Sequence, residues 1–281
     1  MIKYYAMMTK PGILAGNLLT TTAGFMLATE GPFNLPHYLI TLAGLGLVIA
    51  SACVFNNALD RHADQKMERT KNRALAKGLI SPRSASLFAT ALGLIGFAIL
   101  TLFTNRITLL LALGGFLIYV LLYTLGKYRS PYSTHVGSLA GAVPPLVGYT
   151  TLSGHLDLAA LLLLTLMALW QMPHFYAIAM YRVDDYAAAS IPVLPVKRGM
   201  RATKIQIIIY TIAFAAASSF FFSFGYRGYP YLIVAVALGI GWVALALLGL
   251  KAPDDKRWAR QIFIFSLATI VALSATITFS H

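Results

Sequence analysis

One short stretch of the sequence places three oxygen-bearing side chains four residues apart: Asn56, Asp60 and Asp64. On a helix, each step of four residues turns the side chain by only about 40° and advances it by about 6 Å, so the three share one face. Carboxylate and amide oxygens suit a hard cation such as Mg²⁺, which usually binds a few of them together with substrate phosphates. The spacing predicts a Mg²⁺ site at this helix end.

Basic residues follow this face closely, and such a density of cations suits a diphosphate: Lys66, Arg69, Lys71, Arg73 and Lys77. From spacing alone, a helix end whose acids pair with nearby bases at a membrane surface is the alternative. Asn56 favours a site, because it lies about one turn inside an apolar segment, where a polar group costs free energy and usually has a partner.

A second group begins inside another apolar segment. If the helix there continues past the segment, His174, Tyr181 and Asp185 lie within about 20° of one face. That face leads from an intramembrane histidine to a carboxylate at the membrane edge, although a structural histidine and an interfacial tyrosine are the simpler interpretations. Residues 191–195 are too short to span and too apolar for a free loop, so we expect them to fold over the mouth of the helices. Asp254 and Asp255 are expected in a solvated turn.

The elements that carry these groups must cross a membrane. Of the 281 residues, 58% are hydrophobic and 11% are charged, against about 25% charged in a soluble domain. This composition excludes a disordered chain and an ordinary soluble enzyme. It indicates an all-α polytopic membrane protein with a single domain, 1–281. Nine spans are predicted: 12–29, 37–58, 84–104, 107–125, 135–153, 157–180, 203–224, 230–250 and 260–279.

The charge distribution predicts an orientation for these spans. The net charge is +13, and all but two of the 22 Lys and Arg residues fall on one side of the predicted bundle. The two exceptions are Arg106 and Arg227. By the positive-inside rule, the N-terminus and the acidic motifs face the cytoplasm, and nine spans place His281 outside. We therefore expect the excess of positive charge to reflect membrane topology. We expect no nucleic-acid partner.

At these motifs the sequence resembles the intramembrane prenyltransferases of the UbiA superfamily, and within it the branch that farnesylates heme. The resemblance rests on Asn56–Asp60–Asp64 within 54–73, together with 9–11, 141–145, 170–175 and 185–195. It covers nearly the whole chain with the same nine-span order. Members that act on quinone precursors typically carry a second motif with two aspartates four residues apart. Here Ala188 and Ala189 follow Asp184 and Asp185 at that distance, which puts a second Mg²⁺ site in doubt.

The resemblance implies that heme B, farnesyl diphosphate and water give heme O and diphosphate, with Mg²⁺ as cofactor. Asn56, Asp60, Asp64 and Asp185 would hold the metal, with the three aspartates as the catalytic residues. His174 would ligate the heme iron or line its pocket, and Tyr181 would bind substrate. The cations expected to stabilise the leaving group are Lys66, Arg69, Arg73 and Lys127. The resemblance also implies a bacterial inner membrane, contact with the lipid bilayer, and transfer of product to heme A synthase or to a terminal oxidase under assembly. An aromatic quinone precursor as acceptor is the first alternative, and a membrane transporter is the second.

Overall fold

The computed structural model describes residues 1–279, and these residues contain helices and no β-strand. The expected position of His281 outside the membrane therefore falls beyond the described residues. In chain order the α-helices are α1 Ile2–Met8, α2 Pro11–Leu27, α3 Leu35–Asp64, α4 Pro82–Phe103, α5 Arg106–Leu117, α6 Thr124–Gly126, α7 Ser133–Ser153, α8 Leu158–Tyr181, α9 Val183–Ala188, α10 Leu194–Ser223, α11 Tyr229–Leu248 and α12 Asp255–Phe279. A π-helical turn, Ile118–Tyr123, joins α5 to α6.

Seven helical segments within residues 1–279 are long and apolar enough to cross a membrane: Leu35–Asp64, Pro82–Phe103, Arg106–Gly126, Leu158–Tyr181, Leu194–Ser223, Tyr229–Lys251 and Asp255–Phe279. The protein is therefore a multi-pass membrane protein. Helices α2 and α7 coincide in sequence with the predicted spans 12–29 and 135–153, but they are not among these seven segments. The count of nine spans and the sidedness of the termini remain predictions.

Several spans begin at a polar side chain that caps the helix. Asn34, Ser81, Asn105 and Asp157 each accept the backbone N–H of the residue three positions later, at 3.0 Å in every case. An N-terminal cap satisfies one of the four N–H groups that have no partner within the helix. Such caps mark where four long helices start, which explains why the predicted spans begin within a few residues of the observed ones.

Helices α2 and α7 pack with their backbones in close approach. A Cβ atom added to Gly24 would lie 1.9 Å from the carbonyl oxygen of Pro145, and one added to Gly148 would lie 2.1 Å from the carbonyl oxygen of Thr21. Small residues at such a crossing let two membrane helices approach where lipid gives no hydrophobic drive for association. The two glycines thus fix how α2 sits beside the bundle.

Helix α8 ends at Tyr181, because Arg182 leaves helical geometry with φ −113° and ψ 21°. Asp185 therefore lies on the separate short helix α9. The prediction of one continuous face from His174 through Tyr181 to Asp185 is wrong beyond Tyr181. The apolar link after α9 is buried, with Ile191 packed in a cluster with Met67 from the connection between α3 and α4.

The connection before α12 also differs from expectation at one residue. Asp255 forms an ion pair with Lys204 of α10 at 2.5 Å, and the Lys204 side chain is only 9% exposed. Asp254 instead accepts the backbone N–H groups of Lys256 and Arg257. The expected solvated turn is thus correct for Asp254, which is exposed, and wrong for Asp255. A buried ammonium needs a paired acid.

Candidate active site

Three polar side chains of the predicted metal face are buried at the C-terminal end of α3. Asn56 is 3% exposed, Asp60 is 6% exposed and Asp64 is 4% exposed. Buried carboxylates persist only where partners satisfy them. Each of these three buried side chains must therefore have polar or charged partners.

Asp60 is held by two consecutive residues that follow α6. The ammonium of Lys127 forms an ion pair with Asp60 Oδ2, and the hydroxyl of Tyr128 donates to Asp60 Oδ1 at 2.7 Å. Burial raises the pKa of Tyr128, and the neighbouring Asp60 carboxylate raises it further. Lys127 was predicted from the sequence to serve the leaving group, whereas Tyr128 was not identified. Only the fold shows that the α6–α7 connection reaches Asp60.

Asp64 is held by the connection between α3 and α4. One guanidinium nitrogen of Arg73 donates to both carboxylate oxygens of Asp64, at 3.0 and 2.9 Å, and to Oδ1 of Asn57 at 3.2 Å. Asn57 in turn donates to the carbonyl of Met8 at 2.8 Å. The structure thus places Arg73 against the acidic face and adds Asn57 as a link to α1. A role of Arg73 in binding diphosphate stays a prediction.

Asn56 is contacted from two other parts of the chain. Its Oδ1 accepts the ammonium of Lys10 at 2.5 Å, and its Nδ2 donates to Thr124 Oγ1 at 3.0 Å. Thr124 also donates to the carbonyl of Tyr119 across the π-helical turn, a distortion often found at functional sites. Lys10 has a left-handed backbone with φ 54°. It lies directly before Pro11 at the start of α2, so the unusual turn aims its side chain at α3.

Burial lowers the pKa of Lys10 to about 8. The Arg73 and Lys127 cations lower this pKa further, while the Asp60 carboxylate opposes the shift. Three cations from three separate segments therefore surround one helix face. Lys10 was not among the predicted site residues, although residues 9–11 are part of the resemblance to the family.

Asp185 of α9 contacts the connection between α3 and α4, which also supplies Arg73 to Asp64. Its Oδ1 accepts the backbone N–H of Glu68 at 2.8 Å, and its Oδ2 lies 4.0 Å from a guanidinium nitrogen of Arg182. Burial raises the pKa of the adjacent Tyr186, and the Arg69 guanidinium opposes that shift. Arg69 is thus close enough to Tyr186 to influence it electrostatically. The side chains of Arg69 and Lys66 are both exposed.

Within residues 1–279, no three His, Cys, Asp or Glu side chains are close enough together to hold a metal ion as a ready-made cage. Asp60 and Asp64 each bind a cation, and Asp185 binds a backbone N–H. The donors are nonetheless all oxygens, and Mg²⁺ takes one or two carboxylates together with substrate phosphates. The donor set fits Mg²⁺ bound with a diphosphate, and Lys10 and Lys127 show that this face attracts positive charge.

His174 and Tyr181 lie apart from these contacts, at the seam between α8 and α12. The Nδ1 of His174 lies 2.7 Å from Ser266 Oγ, and its ring is stacked on Trp170. Both His174 and Tyr181 contact the ring of Phe263. Among the described residues, neither side chain forms a hydrogen bond with the acidic face of α3.

Comparisons with known proteins agree with this geometry. The model of the UbiA prenyltransferase family matches residues 17–268. The chain is 50% identical over 279 residues to the protoheme IX farnesyltransferase of Protochlamydia amoebophila, covering 99% of each chain. It is 52% identical to the enzyme of the same name from Sodalis glossinidius, covering 98% of this chain and 93% of that one.

Solved structures share the fold at low sequence identity. A digeranylgeranylglyceryl phosphate synthase superposes with a TM-score of 0.79 at 18% identity, over 99% of this chain and 98% of the other. A UbiA homologue from Archaeoglobus fulgidus, solved with GPP and Mg²⁺, superposes with a TM-score of 0.71 at 16% identity, over 98% of this chain and 99% of that one.

Proposed function

The chain belongs to the UbiA prenyltransferase family, and on that premise we propose that it transfers the farnesyl group of farnesyl diphosphate to a vinyl group of heme B. Addition of water then gives heme O, and diphosphate is released. The observation that carries the proposal is the buried face of Asn56, Asp60 and Asp64, ringed by Lys10, Arg73 and Lys127. Such a face binds a metal diphosphate, and the relatives at about 50% identity are named for heme as acceptor.

When bound, Mg²⁺ acts as a Lewis acid that neutralises the charge developing on the diphosphate as the C–O bond breaks. Asn56, Asp60 and Asp64 would hold it, with Asp185 as a further ligand across the connection from α3 to α4. The Archaeoglobus fulgidus homologue, described as bound to GPP and Mg²⁺, supports this assignment. Of the two acids of α9, only Asp185 contacts this connection, because Asp184 pairs with Lys256 instead.

The cations of the site stabilise the leaving group. Lys127 and Arg73 are already placed by their ion pairs with Asp60 and Asp64, so they need little reorganisation to face a diphosphate. Lys10 adds a third ammonium from the α1–α2 junction. Exposed Lys66 and Arg69 would draw the substrate toward this surface by long-range attraction.

The chemistry also needs water excluded until the last step. Breaking the C–O bond gives an allylic cation, and the vinyl π electrons must reach it before bulk water does. The new carbon–carbon bond leaves a cation beside the porphyrin, to which one water adds with loss of a proton. Helices around the site exclude solvent. The stacked rings of Tyr119 and Tyr123, 5.6 Å apart, lie beside Lys127 and offer π faces to a cation.

The setting follows from the same assignment. Residues 1–281 would act as a single intramembrane prenyltransferase domain in the bacterial inner membrane, with the acidic face toward the cytoplasm. The product would pass to heme A synthase or to a terminal oxidase under assembly. Heme B and farnesyl diphosphate each have an apolar body and an anionic head, which suits a site at one end of the membrane-spanning helices.

Reconstitution tests the proposal. Protein in lipid nanodiscs would receive heme B, farnesyl diphosphate and Mg²⁺, with and without a chelator, and mass spectrometry would detect heme O. We expect conversion that the chelator abolishes. Matched reactions with an aromatic quinone precursor separate the alternative acceptor, because prenylation of that compound and not of heme would contradict the proposal. Flux of substrate across liposomes without any conversion would indicate a transporter.

A further inference from the structure

A cavity of about 520 Å³ opens where α8 ends and α12 begins. Its wall carries four cations, Arg182, Lys256, Arg257 and Arg260, and one acid, Asp254. Tyr181, Phe263 and Ile264 supply the apolar part of the wall. The volume lies within the range of small-molecule sites, about 300–1,000 Å³, and the charge of the wall favours an anion.

Two of these cations are not committed elsewhere. Within residues 1–279, no hydrogen bond or ion pair joins the guanidinium of Arg257 or Arg260 to another side chain. The Nε of Arg182 is buried and also lacks a hydrogen-bond partner in that part of the chain. The single acid of the wall, Asp254, leaves an excess of positive charge, because it is one carboxylate against four cations. A buried N–H without a partner is unfavourable, so a ligand that accepts from it would be stabilised.

A line of aromatic rings leads from this cavity into the membrane. Tyr181 contacts Phe263 with ring centroids 5.7 Å apart, Phe263 contacts His174 at 4.9 Å, and His174 stacks on Trp170 at 4.9 Å. The Nδ1 of His174 and the indole N–H of Trp170 are both directed to Ser266 of α12. Tyr181 and Phe263 are the rings of this line that reach the cavity wall, beside its four cations.

We infer that this cavity binds the porphyrin acceptor by its two propionate carboxylates, with Arg257 and Arg260 on the carboxylates and Phe263 against the edge of the ring. The inference rests on the proposed function and adds an acceptor subsite separate from the metal face. Guanidinium groups pair with carboxylates in two parallel hydrogen bonds, and the ring system would lie along the aromatic seam. The cavity adjoins the metal face through Arg182, which lies 4.0 Å from Asp185.

The experiment compares heme B with its dimethyl ester, in which both propionates are esterified. Both compounds would be assayed with the wild type, with Arg257→Gln, with Arg260→Gln and with the double variant, in nanodiscs of neutral lipid and of anionic lipid. We expect each variant to raise the KM for heme B by roughly tenfold, with an unchanged KM for farnesyl diphosphate. We also expect the wild type to prefer heme B over the ester, and the double variant to lose that preference.

Lys251→Gln serves as the control, because it removes the same charge from the same end of the bundle and lies outside the cavity. Equal discrimination between acid and ester by the wild type and the double variant would overturn the inference. An effect that appears only in anionic lipid would assign the arginines to headgroups instead. Wild-type protein that makes no heme O would contradict the proposed function itself, which keeps the two failures distinguishable.

Discussion

The ammonium of Lys10 lies 2.5 Å from Oδ1 of Asn56, although the two residues are 46 positions apart. The contact joins the junction of α1 and α2 to the membrane-buried end of α3. It places a titratable cation against the amide that begins the metal-binding face, so the protonation of Lys10 becomes part of the chemistry of the site.

This contact predicts a pH dependence. Burial lowers the pKa of Lys10 to about 8, so its ammonium loses its proton as the pH rises through that value. We expect kcat/KM for farnesyl diphosphate to fall by up to tenfold per pH unit above about 8, because kcat/KM reports the free enzyme. Lys10→Arg should move the decline to higher pH, and Lys10→Met should remove it while lowering activity at pH 7. A decline that persists unchanged in Lys10→Met would exclude Lys10 as its source.

The same shift has a consequence for stability. Because the unfolded chain holds the Lys10 proton up to about pH 10.5 and the folded chain releases it near 8, the unfolded state binds more protons between these values. The free energy of unfolding should therefore rise with pH across this window, and the rise should be smaller in Lys10→Met. Thermal unfolding in detergent at a series of pH values measures the difference.

Asp60→Asn removes one charge from the metal-binding face while keeping an acceptor for Tyr128. We expect turnover to fall by about 10²–10³-fold, the loss typical when a group that stabilises developing charge is removed. The variant should still insert and fold. Glu30→Gln is the matched control, since Glu30 is exposed and distant in sequence from the site. Heme O measured by mass spectrometry gives both rates, and near-normal turnover by Asp60→Asn would remove Asp60 from the mechanism.

The Arg73–Asp64 pair should show strong coupling. The Asp64 side chain is buried and Arg73 is partly exposed, so removing one partner leaves the other without compensation. A double-mutant cycle with Arg73→Gln and Asp64→Asn should give an interaction of about 1–3 kcal/mol in the free energy of unfolding. Additive effects of the two substitutions would show that the pair contributes little to the fold.

Gly24→Ala should destabilise the protein by about 1–3 kcal/mol, because the added Cβ would lie 1.9 Å from the Pro145 carbonyl oxygen and would push α2 away from α7. Gly16→Ala on the same helix meets nothing within 4 Å. It should be neutral or should stabilise the helix by about 0.5–1 kcal/mol. The melting temperatures of both variants decide the matter. Equal values would mean that the α2–α7 crossing relaxes freely.

Spacing within one helix was enough to predict a shared polar face, although metal binding by that face stays a prediction. Asn56, Asp60 and Asp64 share a face because helical geometry is local and regular. Arg73 follows them by only nine residues, so its contact with Asp64 was also within reach of the sequence. The all-helical fold followed from apolar segment length, and seven of the nine predicted spans coincide with helices long and apolar enough to cross a membrane.

Contacts that depend on tertiary structure were not predictable in the same way. Tyr128 and Thr124 meet α3 across more than 60 residues, and no local pattern marks them. Asp185 lies beside the connection between α3 and α4, but the geometric reason for its selection fails, because Arg182 interrupts the helix. Its role as a metal ligand stays a prediction. The change of backbone direction at Arg182 separates His174 and Tyr181 from Asp185, which was expected to continue their face.

Helix α9 has neighbouring carboxylates that are tied in different directions. Asp185 binds the backbone of Glu68, beside the metal face, and Asp184 binds Lys256 of α12 at 2.5 Å. Both carboxylates lie in the first turn of the six-residue helix α9, so this one turn contacts both segments. If diphosphate displaces Asp185, this turn would carry the change to the start of α12 through the Asp184–Lys256 pair. By thermodynamic reciprocity, a ligand beside α12 would then alter diphosphate affinity by the same factor. The two substrates would then bind as cooperative, and not independent, occupants.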